Sequence, residues 1–281
     1  MTMADPGPVL ITGCSSGIGR ATAQRLASSG LLVYASARRS ESLAELERAG
    51  CRTLALDVTD DESARAAVQA IEAEHGSVGA LVNNAGFAIS GAIEAVSLDD
   101  VRREFETNVF GYLRMAQLVL PGMRSAGRGR IVNLSSVAGR VTMPGAGPYA
   151  ATKYAIEALS DAMRFETRGF GVHVIVIEPG PIRSAFTSTA NAALQRNDAA
   201  PYAEYHAAVA KADADTDESF LAGTPERVAR VIERALRSAH PRPRYKVMPV
   251  SRLLPRLRGI LGDRGFDAFL RTQIKPPGTG A

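Results

Sequence analysis

Tyr149 and Lys153 are the pair of residues in this sequence best suited to acid–base chemistry. They lie four positions apart in a segment that predicts a helix, so both side chains project from one face of it. A free phenol has a pKa of about 10, but a neighbouring ammonium group favours the phenolate and lowers that pKa. The pair therefore predicts a general acid–base centred on Tyr149. The same spacing is also consistent with an ordinary contact on a helix surface.

Ser135 and Ser136 end a predicted strand shortly before that helix. In a parallel sheet, ligands bind beyond the carboxyl ends of the strands. A hydroxyl group at this point could therefore donate a hydrogen bond to a substrate oxygen. Taken alone, the two serines also fit a simple loop that leads into a helix.

A glycine-rich turn near the amino terminus predicts a phosphate site. It reads T-G-C-S-S-G-I-G over Thr12 to Gly19 and joins the first predicted strand to the first predicted helix. Glycines allow a pyrophosphate to approach the backbone, and the helix offers unpaired N–H groups and the positive end of its dipole. The spacing differs from the usual G-x-G-x-x-G fingerprint, so a plain strand–helix turn is the alternative. The residues expected to form this site are Gly13, Ser15, Ser16, Gly17, Ile18 and Gly19.

Arg38 stands where the second predicted strand ends, which is the point that the ribose of a bound dinucleotide reaches. A site for NAD usually carries an acidic residue here, whereas an arginine accommodates a 2′-phosphate. Ala37 supplies no acid, and the guanidinium of Arg38 suits phosphate oxygens. We therefore expect NADP(H) as the cofactor, with NAD(H) as the alternative. A solvated arginine pair with Arg39 would look the same in the sequence.

The elements that must position these residues alternate along most of the chain. Predicted strands lie at 8–12, 31–36, 52–57, 80–83, 130–135, 172–178 and 244–248. Predicted helices lie at 18–29, 40–49, 60–75, 97 to about 121, 148–168 and from Thr224 onward. Continuous apolar strands separated by helices indicate a parallel sheet that is covered on both faces. We expect an α/β fold, a Rossmann-like doubly wound parallel sheet flanked by helices, in a single domain over 1–281.

The composition is that of an ordinary globular protein. Of 281 residues, 46% are hydrophobic and 22% charged, which excludes global disorder. The net charge of +4 is too small to predict nucleic-acid binding. Cys14 and Cys51, the two cysteines, form neither a disulfide framework nor a metal-ligand spacing, so no metal site is expected. Because no signal peptide or apolar run of about 18 residues is visible, we expect a cytoplasmic protein.

Taken together, the motifs make the sequence resemble the short-chain dehydrogenase/reductase family, in its single-domain form with the Y-x-x-x-K motif. The resemblance covers most of the chain, from about Val9 to Ser184. The matching positions are the turn at 12–19, Asp57-Val58, Asn83-Asn84-Ala85-Gly86, Asn108, Ser136, Tyr149, Lys153 and Pro179-Gly180. The resemblance implies reversible hydride transfer between a nicotinamide cofactor and a carbonyl or alcohol.

The resemblance also implies a role for each of four catalytic residues. Tyr149 exchanges a proton with the substrate oxygen, and Ser136 holds and polarises that oxygen. Lys153 bonds the nicotinamide ribose and lowers the pKa of Tyr149. Asn108 holds a water that links Lys153 to solvent as a proton relay. Asn108 is equally consistent with a polar residue that interrupts a helix.

Further cofactor contacts follow from the same resemblance. Asp57 accepts from the adenine amino group, with the backbone of Val58 nearby. The remaining contacts that the family pattern implies, besides Tyr149 and Lys153, are Asn84, Ala85 and Gly86 at the ribose and Pro179, Ile182 and Ser184 near the nicotinamide. The family usually has threonine where Ser184 stands, and serine keeps the hydroxyl.

The residues near the expected substrate pocket are mostly apolar or small. They are Phe87, Ile89, Val137, Met143, Pro181 and Phe186, with Tyr202, Tyr205 and Phe220 in a segment at 185–222 that could form a helical lid or a solvated connection. No basic cluster demands a phosphorylated or CoA-linked substrate. We expect a hydrophobic ketone, aldehyde or secondary alcohol, although each apolar residue could equally be plain core.

A basic extension at about 250–281 carries apolar residues at roughly helical spacing. The favoured interpretation is a helix packed on the domain or on a neighbouring subunit, and peripheral membrane contact is the less favoured one. Members of the family are usually homodimers or homotetramers built on the two long helices, here 97–121 and 148–168. A catalytically silent NADP-binding or membrane-associated scaffold module is the alternative to an enzyme, and the intact Ser136, Tyr149 and Lys153 favour the enzyme.

Overall fold

A seven-stranded parallel sheet forms the centre of the computed structural model, which describes residues 5–184, 186, 189–190, 194, 201–219 and 222–278. The strands of this described part are β1 Val9–Ile11, β2 Val33–Ala37, β3 Arg52–Ala55, β4 Ala80–Asn83, β5 Gly129–Leu134, β6 Val172–Glu178 and β7 Arg244–Lys246. They lie in the order β3-β2-β1-β4-β5-β6-β7, and every pair is parallel. The order reverses between β1 and β4, so the connections diverge there and open a crevice at the carboxyl ends.

Helices cover both faces of the sheet, which confirms the predicted doubly wound fold. They are α1 Gly17–Ser28, α2 Ala44–Arg48, α3 Asp61–His75, α4 Leu98–Phe105, α5 Gly111–Ser125, α6 Gly147–Thr167, α7 Ala203–Glu218, α8 Pro225–Arg237 and α9 Val250–Gln273. Apolar residues of α1 and α8 pack into one core layer, and those of α3 and α5 into the other. No helix within the described ranges is both long and apolar enough to cross a bilayer.

The long helix predicted from 97 to about 121 differs from the structure in two ways. A π-helical segment, Glu106–Phe110, separates α4 from α5. In addition, α5 continues past Pro121 to Ser125. Pro121 removes one backbone donor, but the turn that follows it buries Met123 completely in the core. We attribute the longer helix to this packing, which outweighs the lost hydrogen bond.

The helix predicted at 40–49 is also shorter than expected. A 3₁₀ turn, Ser40–Leu43, precedes the short helix α2. Ser40 does not act as the cap, because Arg39 occupies the N-cap position. The Ser42 hydroxyl instead donates to the carbonyl oxygen of Arg39 at 2.6 Å. This local bond competes with a regular first helical turn.

The segment predicted as a lid contains the helix α7, and its two ends are held together. An isolated parallel bridge joins Ile182 to Gly223, and the Gly223 amide donates to the carbonyl of Pro181 at 2.9 Å. Phe220 lies outside the described residues, as do several other positions of 185–222. The basic extension forms α9, which is broken at Gly262 by a positive φ of 62°.

Candidate active site

A cleft of about 970 Å³ lies at the carboxyl ends of the strands, and we call it the main cleft. Most of the residues predicted to bind the cofactor or act in catalysis line it. They are Gly13, Ser15, Ser16, Gly17, Ile18, Arg38, Asp57, Val58, Asn84, Ala85, Gly86, Ser136, Tyr149, Lys153, Pro179, Ile182 and Ser184. Gly19 and Asn108 are the two predicted residues that do not line it; both are buried.

The glycine-rich turn has no room for a side chain at Gly13 or at Gly19. Gly13 has a φ of 73°, and a Cβ placed there would lie 2.7 Å from the Cα of Ala85. A Cβ on Gly19 would overlap the carbonyl oxygen of Gly13. Gly19 therefore supports the turn from behind, and Gly13 and Gly17 form its surface.

Thr12 and Asn84 lock this turn to the loop after β4. The Thr12 hydroxyl oxygen accepts from the backbone amides of Asn84 and Ala85, both at 3.0 Å. The Asn84 side-chain amide donates to the carbonyl oxygens of Thr12, at 2.8 Å, and Gly13, at 3.0 Å. Thr12 lies in the predicted motif but was not among the predicted site residues; its position beside two backbone amides appears only in the folded chain.

The residues present fit a pyrophosphate and a ribose. Ser16 is the N-cap residue of α1, and no side chain of the described residues caps the first amides of this helix. These amides, with the small residues of the turn, are the donors that a phosphate group requires. At the far end, Arg38 is exposed just beyond β2, and the last residue of that strand is Ala37. The Asp57 carboxylate accepts from the amide and hydroxyl of Thr59, at 2.9 and 2.7 Å, which orients it at the rim.

Ser136, Tyr149 and Lys153 come together where β5 ends and α6 begins. The Ser136 side chain accepts from the Ala138 amide at 3.1 Å and lies within hydrogen-bonding reach of the Tyr149 hydroxyl. The Lys153 ammonium donates to the carbonyl oxygen of Leu134 at 2.8 Å and lies 5.5 Å from the centre of the Tyr149 ring. The arrangement can hold a carbonyl oxygen between two hydroxyl groups, with a cation behind one of them.

Burial controls the protonation of these groups more than their mutual charges do. Burial raises the pKa of Tyr149 well above its usual value, although the hydrogen bond with Ser136 opposes the rise. Burial also lowers the pKa of Lys153 to about 8, against the charges of Glu104 and Glu157, which raise it. The pKa of Tyr149 therefore lies above its usual value, because desolvation of the phenolate dominates, and the predicted lowering by Lys153 stays a prediction.

Asn108 supports the loop after β4 instead of facing the main cleft. Its side-chain amide donates to the carbonyl of Phe87 at 2.8 Å and to the Thr152 hydroxyl at 3.3 Å, and its carbonyl oxygen accepts from the Phe87 amide at 3.1 Å. Both amide hydrogens are thus used within the protein. The π-helical segment supplies this position, and the proton relay implied by the family resemblance stays a prediction.

Glu104 is a buried acid that sequence reasoning missed. Its side chain is fully buried, one carboxyl oxygen accepts from the Ile89 amide at 3.3 Å, and the other has no partner among the described residues. Burial raises its pKa to about 8, and the nearby Lys153 opposes that rise. The only signal in the sequence is the spacing of four positions between Glu104 and Asn108. Polar residues on the exposed face of a helix show the same spacing.

The wall of the main cleft beside Tyr149 is apolar. The ring of Phe186 packs edge-on against the Tyr149 ring, with 5.5 Å between the ring centres. The other predicted substrate residues that line this cleft are Phe87, Ile89, Val137, Met143 and Pro181. Tyr202 and Tyr205 do not line it; they line a second cavity next to it.

Comparisons with known proteins agree with this geometry. The family model for short chain dehydrogenases matches residues 8–195. The chain is 41% identical over 187 residues to the 3-ketodihydrosphingosine reductase of Bacteroides thetaiotaomicron, covering 66% of this chain and 68% of that protein. It is 33% identical over 278 residues to the NADPH-dependent 3-dehydrocapnine reductase of Ornithobacterium rhinotracheale, covering 95% and 96%.

A solved structure of a short chain dehydrogenase/reductase from Burkholderia phymatum in complex with NAD superposes with a TM-score of 0.80 at 26% identity, covering 100% of this chain and 99% of that one. The strand order, the glycine-rich turn, the Tyr149–Lys153 pair and these matches lead to one conclusion. The chain belongs to the short-chain dehydrogenase/reductase family of oxidoreductases.

Proposed function

We propose that this protein is an NADP(H)-dependent oxidoreductase that interconverts a hydrophobic ketone or aldehyde with the corresponding alcohol. One observation carries the proposal: Ser136, Tyr149 and Lys153 line the same cleft as the glycine-rich turn, next to an apolar wall. The cleft offers backbone amides that can bind phosphate groups and the two hydroxyl groups of Ser136 and Tyr149. It therefore suits a dinucleotide and a carbonyl compound bound side by side.

The glycine-rich turn and Arg38 would hold the cofactor, which in the reductive direction would supply a hydride to the carbonyl carbon. Ser136 donates a hydrogen bond to the carbonyl oxygen and orients it. Tyr149 donates its proton to that oxygen as negative charge develops there. Burial raises the pKa of Tyr149 and so makes it a weaker acid, which means that the charges placed around it by the bound cofactor and Lys153 have to favour the phenolate during the transfer. The Lys153 ammonium then stabilises the phenolate that remains.

The cofactor preference that we propose is NADP(H), with NAD(H) as the alternative. Arg38 supports it, because its exposed guanidinium stands beside the rim where the ribose phosphate would lie, and Ala37 offers no competing carboxylate. The relative from Ornithobacterium rhinotracheale is named as NADPH-dependent. The structural neighbour from Burkholderia phymatum holds NAD, which keeps the alternative open.

The substrate class that we propose rests on the lining beside Tyr149. Phe186, Met143, Pro144 and Val209 are apolar residues around the place where the substrate carbonyl would lie. Burying a hydrocarbon group against them is favourable by about 25 cal/mol per Å². Two relatives are named as reductases, and the name of the one from Bacteroides thetaiotaomicron specifies a keto compound.

The test is NADPH oxidation against a panel of steroid, retinoid and aliphatic ketones and aldehydes, with Tyr149→Phe measured alongside. Turnover that disappears in the variant supports the enzyme. Tight NADPH binding without turnover of any substrate would instead favour the catalytically silent module.

We also propose a homodimer or homotetramer built on α5 and α6. Phe165 on α6 is 87% exposed, and Phe110, just before α5, is 50% exposed. Large aromatic side chains in water are typical of surfaces that a partner covers. Both cysteines are buried and free, which suits the reducing compartment that we propose for the protein.

A further inference from the structure

A second cavity, of about 700 Å³, lies beside the main cleft, and we call it the distal cavity. Three parts of the chain line it, and it is open to solvent on one side. Ile93 and its neighbours come from the loop after β4, Tyr202 and Tyr205 from the start of α7, and Leu270 and Ile274 from the carboxyl-terminal end of α9 and the residue after it. Its volume is in the range of small-molecule sites. This cavity depends on α9, which lies beyond the residues that match the family model.

The distal cavity adjoins the main cleft, and two residues form a border between them. Met143 and Pro144 line both spaces. They lie between Ser136 and Tyr149 in the chain, so this border belongs to the segment that holds the catalytic hydroxyl groups. A substrate whose carbonyl is held by Ser136 and Tyr149 would reach the distal cavity by lying across Met143 and Pro144.

The walls of the distal cavity are held in place by hydrogen bonds. The Gly91 amide donates to the carbonyl oxygen of Gly145 at 2.8 Å, and the Ala92 amide donates to Nε2 of the buried His206 at 3.0 Å. The Tyr202 hydroxyl donates to the Glu94 carboxylate at 2.6 Å. These bonds connect the loop after β4 to the segment before α6 and to α7.

The lining chemistry indicates what the distal cavity binds. Most of its residues are apolar, and the charged ones are Glu94, Asp267 and Arg271. All three charged residues are exposed and lie at the solvent side, as does the apolar Ile93. An apolar space with a charged rim suits a hydrocarbon chain better than a phosphate or a sugar.

We propose that the distal cavity is a substrate subsite that binds the hydrocarbon chain of an elongated ketone or alcohol whose carbonyl carbon reacts at Tyr149. This inference rests on the proposed function and adds chain-length selectivity to it. Each methylene buried there should improve the affinity by about fourfold until the cavity is full. Short ketones reach only the main cleft.

The first experiment fills the distal cavity. Ile274→Trp places an indole in it, and Leu253→Trp on α9, where Leu253 is 62% exposed, is the matched control. We expect Ile274→Trp to raise KM for a twelve-carbon methyl ketone about tenfold or more and to leave KM for a six-carbon one within about twofold. An equal rise for both ketones, or no rise for either, would overturn the proposal, provided that the melting temperature of the variant is unchanged.

The second experiment measures binding without turnover. The sequence contains no tryptophan, so Tyr202→Trp introduces a single fluorescent reporter at the wall of the cavity. With NADP⁺ present in place of NADPH, so that the ketone cannot be reduced, the twelve-carbon ketone should shift its emission to the blue, and the six-carbon ketone should not. No shift, or the same shift with both, contradicts the subsite. If the protein binds the long ketone but never oxidises NADPH, the subsite stands and the proposed activity fails.

Discussion

The Lys153 ammonium donates to the carbonyl oxygen of Leu134, the last residue of β5, at 2.8 Å. This bond attaches the second turn of α6 to the carboxyl end of the central sheet. It holds the buried cation between the rings of Tyr149 and Tyr112, which lie 5.5 and 5.4 Å from the nitrogen. Because the acceptor is a backbone carbonyl, this bond depends on the position of residue 134 at the end of the strand. It does not depend on the type of side chain there.

Replacing Tyr149 with phenylalanine tests its role as the proton donor. The change removes the hydroxyl and keeps the ring that packs against Phe186. We expect kcat for ketone reduction to fall by about 10²- to 10⁴-fold, with NADPH affinity within about twofold. Tyr154→Phe, one residue beyond Lys153 on the same helix, is the control and should keep full activity. Loss of NADPH binding in Tyr149→Phe would point to a structural role instead.

Replacing Arg38 with alanine tests the choice of cofactor. A charge-assisted hydrogen bond to the 2′-phosphate contributes about 1.5–3 kcal/mol, so the Kd for NADPH should rise about tenfold or more. The Kd for NADH should stay nearly unchanged. Arg39→Ala is the control, because it removes the same charge from a residue that is not among those lining the main cleft. It should have little effect on the Kd for NADPH. Equal weakening of both cofactors in Arg38→Ala would refute the phosphate contact.

Replacing Thr12 with valine tests the lock beneath the glycine-rich turn. The valine has nearly the same shape but leaves the amides of Asn84 and Ala85 without their acceptor. An unsatisfied buried donor costs about 1–3 kcal/mol, and these amides are partly buried, so we expect the free energy of unfolding to fall by about 1–3 kcal/mol in urea titrations. Thr12→Ser keeps the hydroxyl and should restore most of it. A valine variant as stable as the native chain would show that water replaces the lost oxygen.

Replacing Glu104 with glutamine tests the buried acid through the pH dependence of stability. Burial raises its pKa from 4.5 to about 8, so between these pH values the folded chain holds a proton that the unfolded chain has released. Stability due to this group therefore falls as the pH rises through that interval. Glutamine does not titrate, so the melting temperature of Glu104→Gln relative to the native chain should increase by at least about 3 °C between pH 5 and pH 8. Glu62→Gln, on the exposed start of α3, should show no such trend.

Replacing Phe165 with glutamate tests the proposed oligomer. A charge in place of an 87% exposed aromatic side chain should favour the monomer if a partner covers that surface. Light scattering after size-exclusion chromatography gives the mass of each species. Leu253→Glu changes an exposed apolar residue on α9 and serves as the control. A native chain that is monomeric at every concentration would end the proposal.

Much of the site was predictable because its residues lie at fixed distances along single elements. Tyr149 and Lys153 share a helix face through their spacing, and the glycines of 12–19 mark the turn between β1 and α1. Glu104 was not predictable in this way. An acid on a helix is usually exposed, and the packing of α4 against α6 and the loop that carries Ile89 buries this one. The rise in the pKa of Tyr149 was not predictable for the same reason, since burial is a property of the assembled structure.

The sequence by itself determined the alternation of strands and helices, the parallel sheet, the phosphate-binding turn and the pairing of Tyr149 with Lys153. These follow from local periodicity and from the position of glycine and polar residues at strand ends. The tertiary structure alone decided which atoms face each other across the chain. It brought Thr12 to the amides of Asn84 and Ala85, and it placed Ile274 near Tyr202 to form the distal cavity. Contacts between residues about 70 positions apart depend on how helices and loops pack, and no local pattern encodes that.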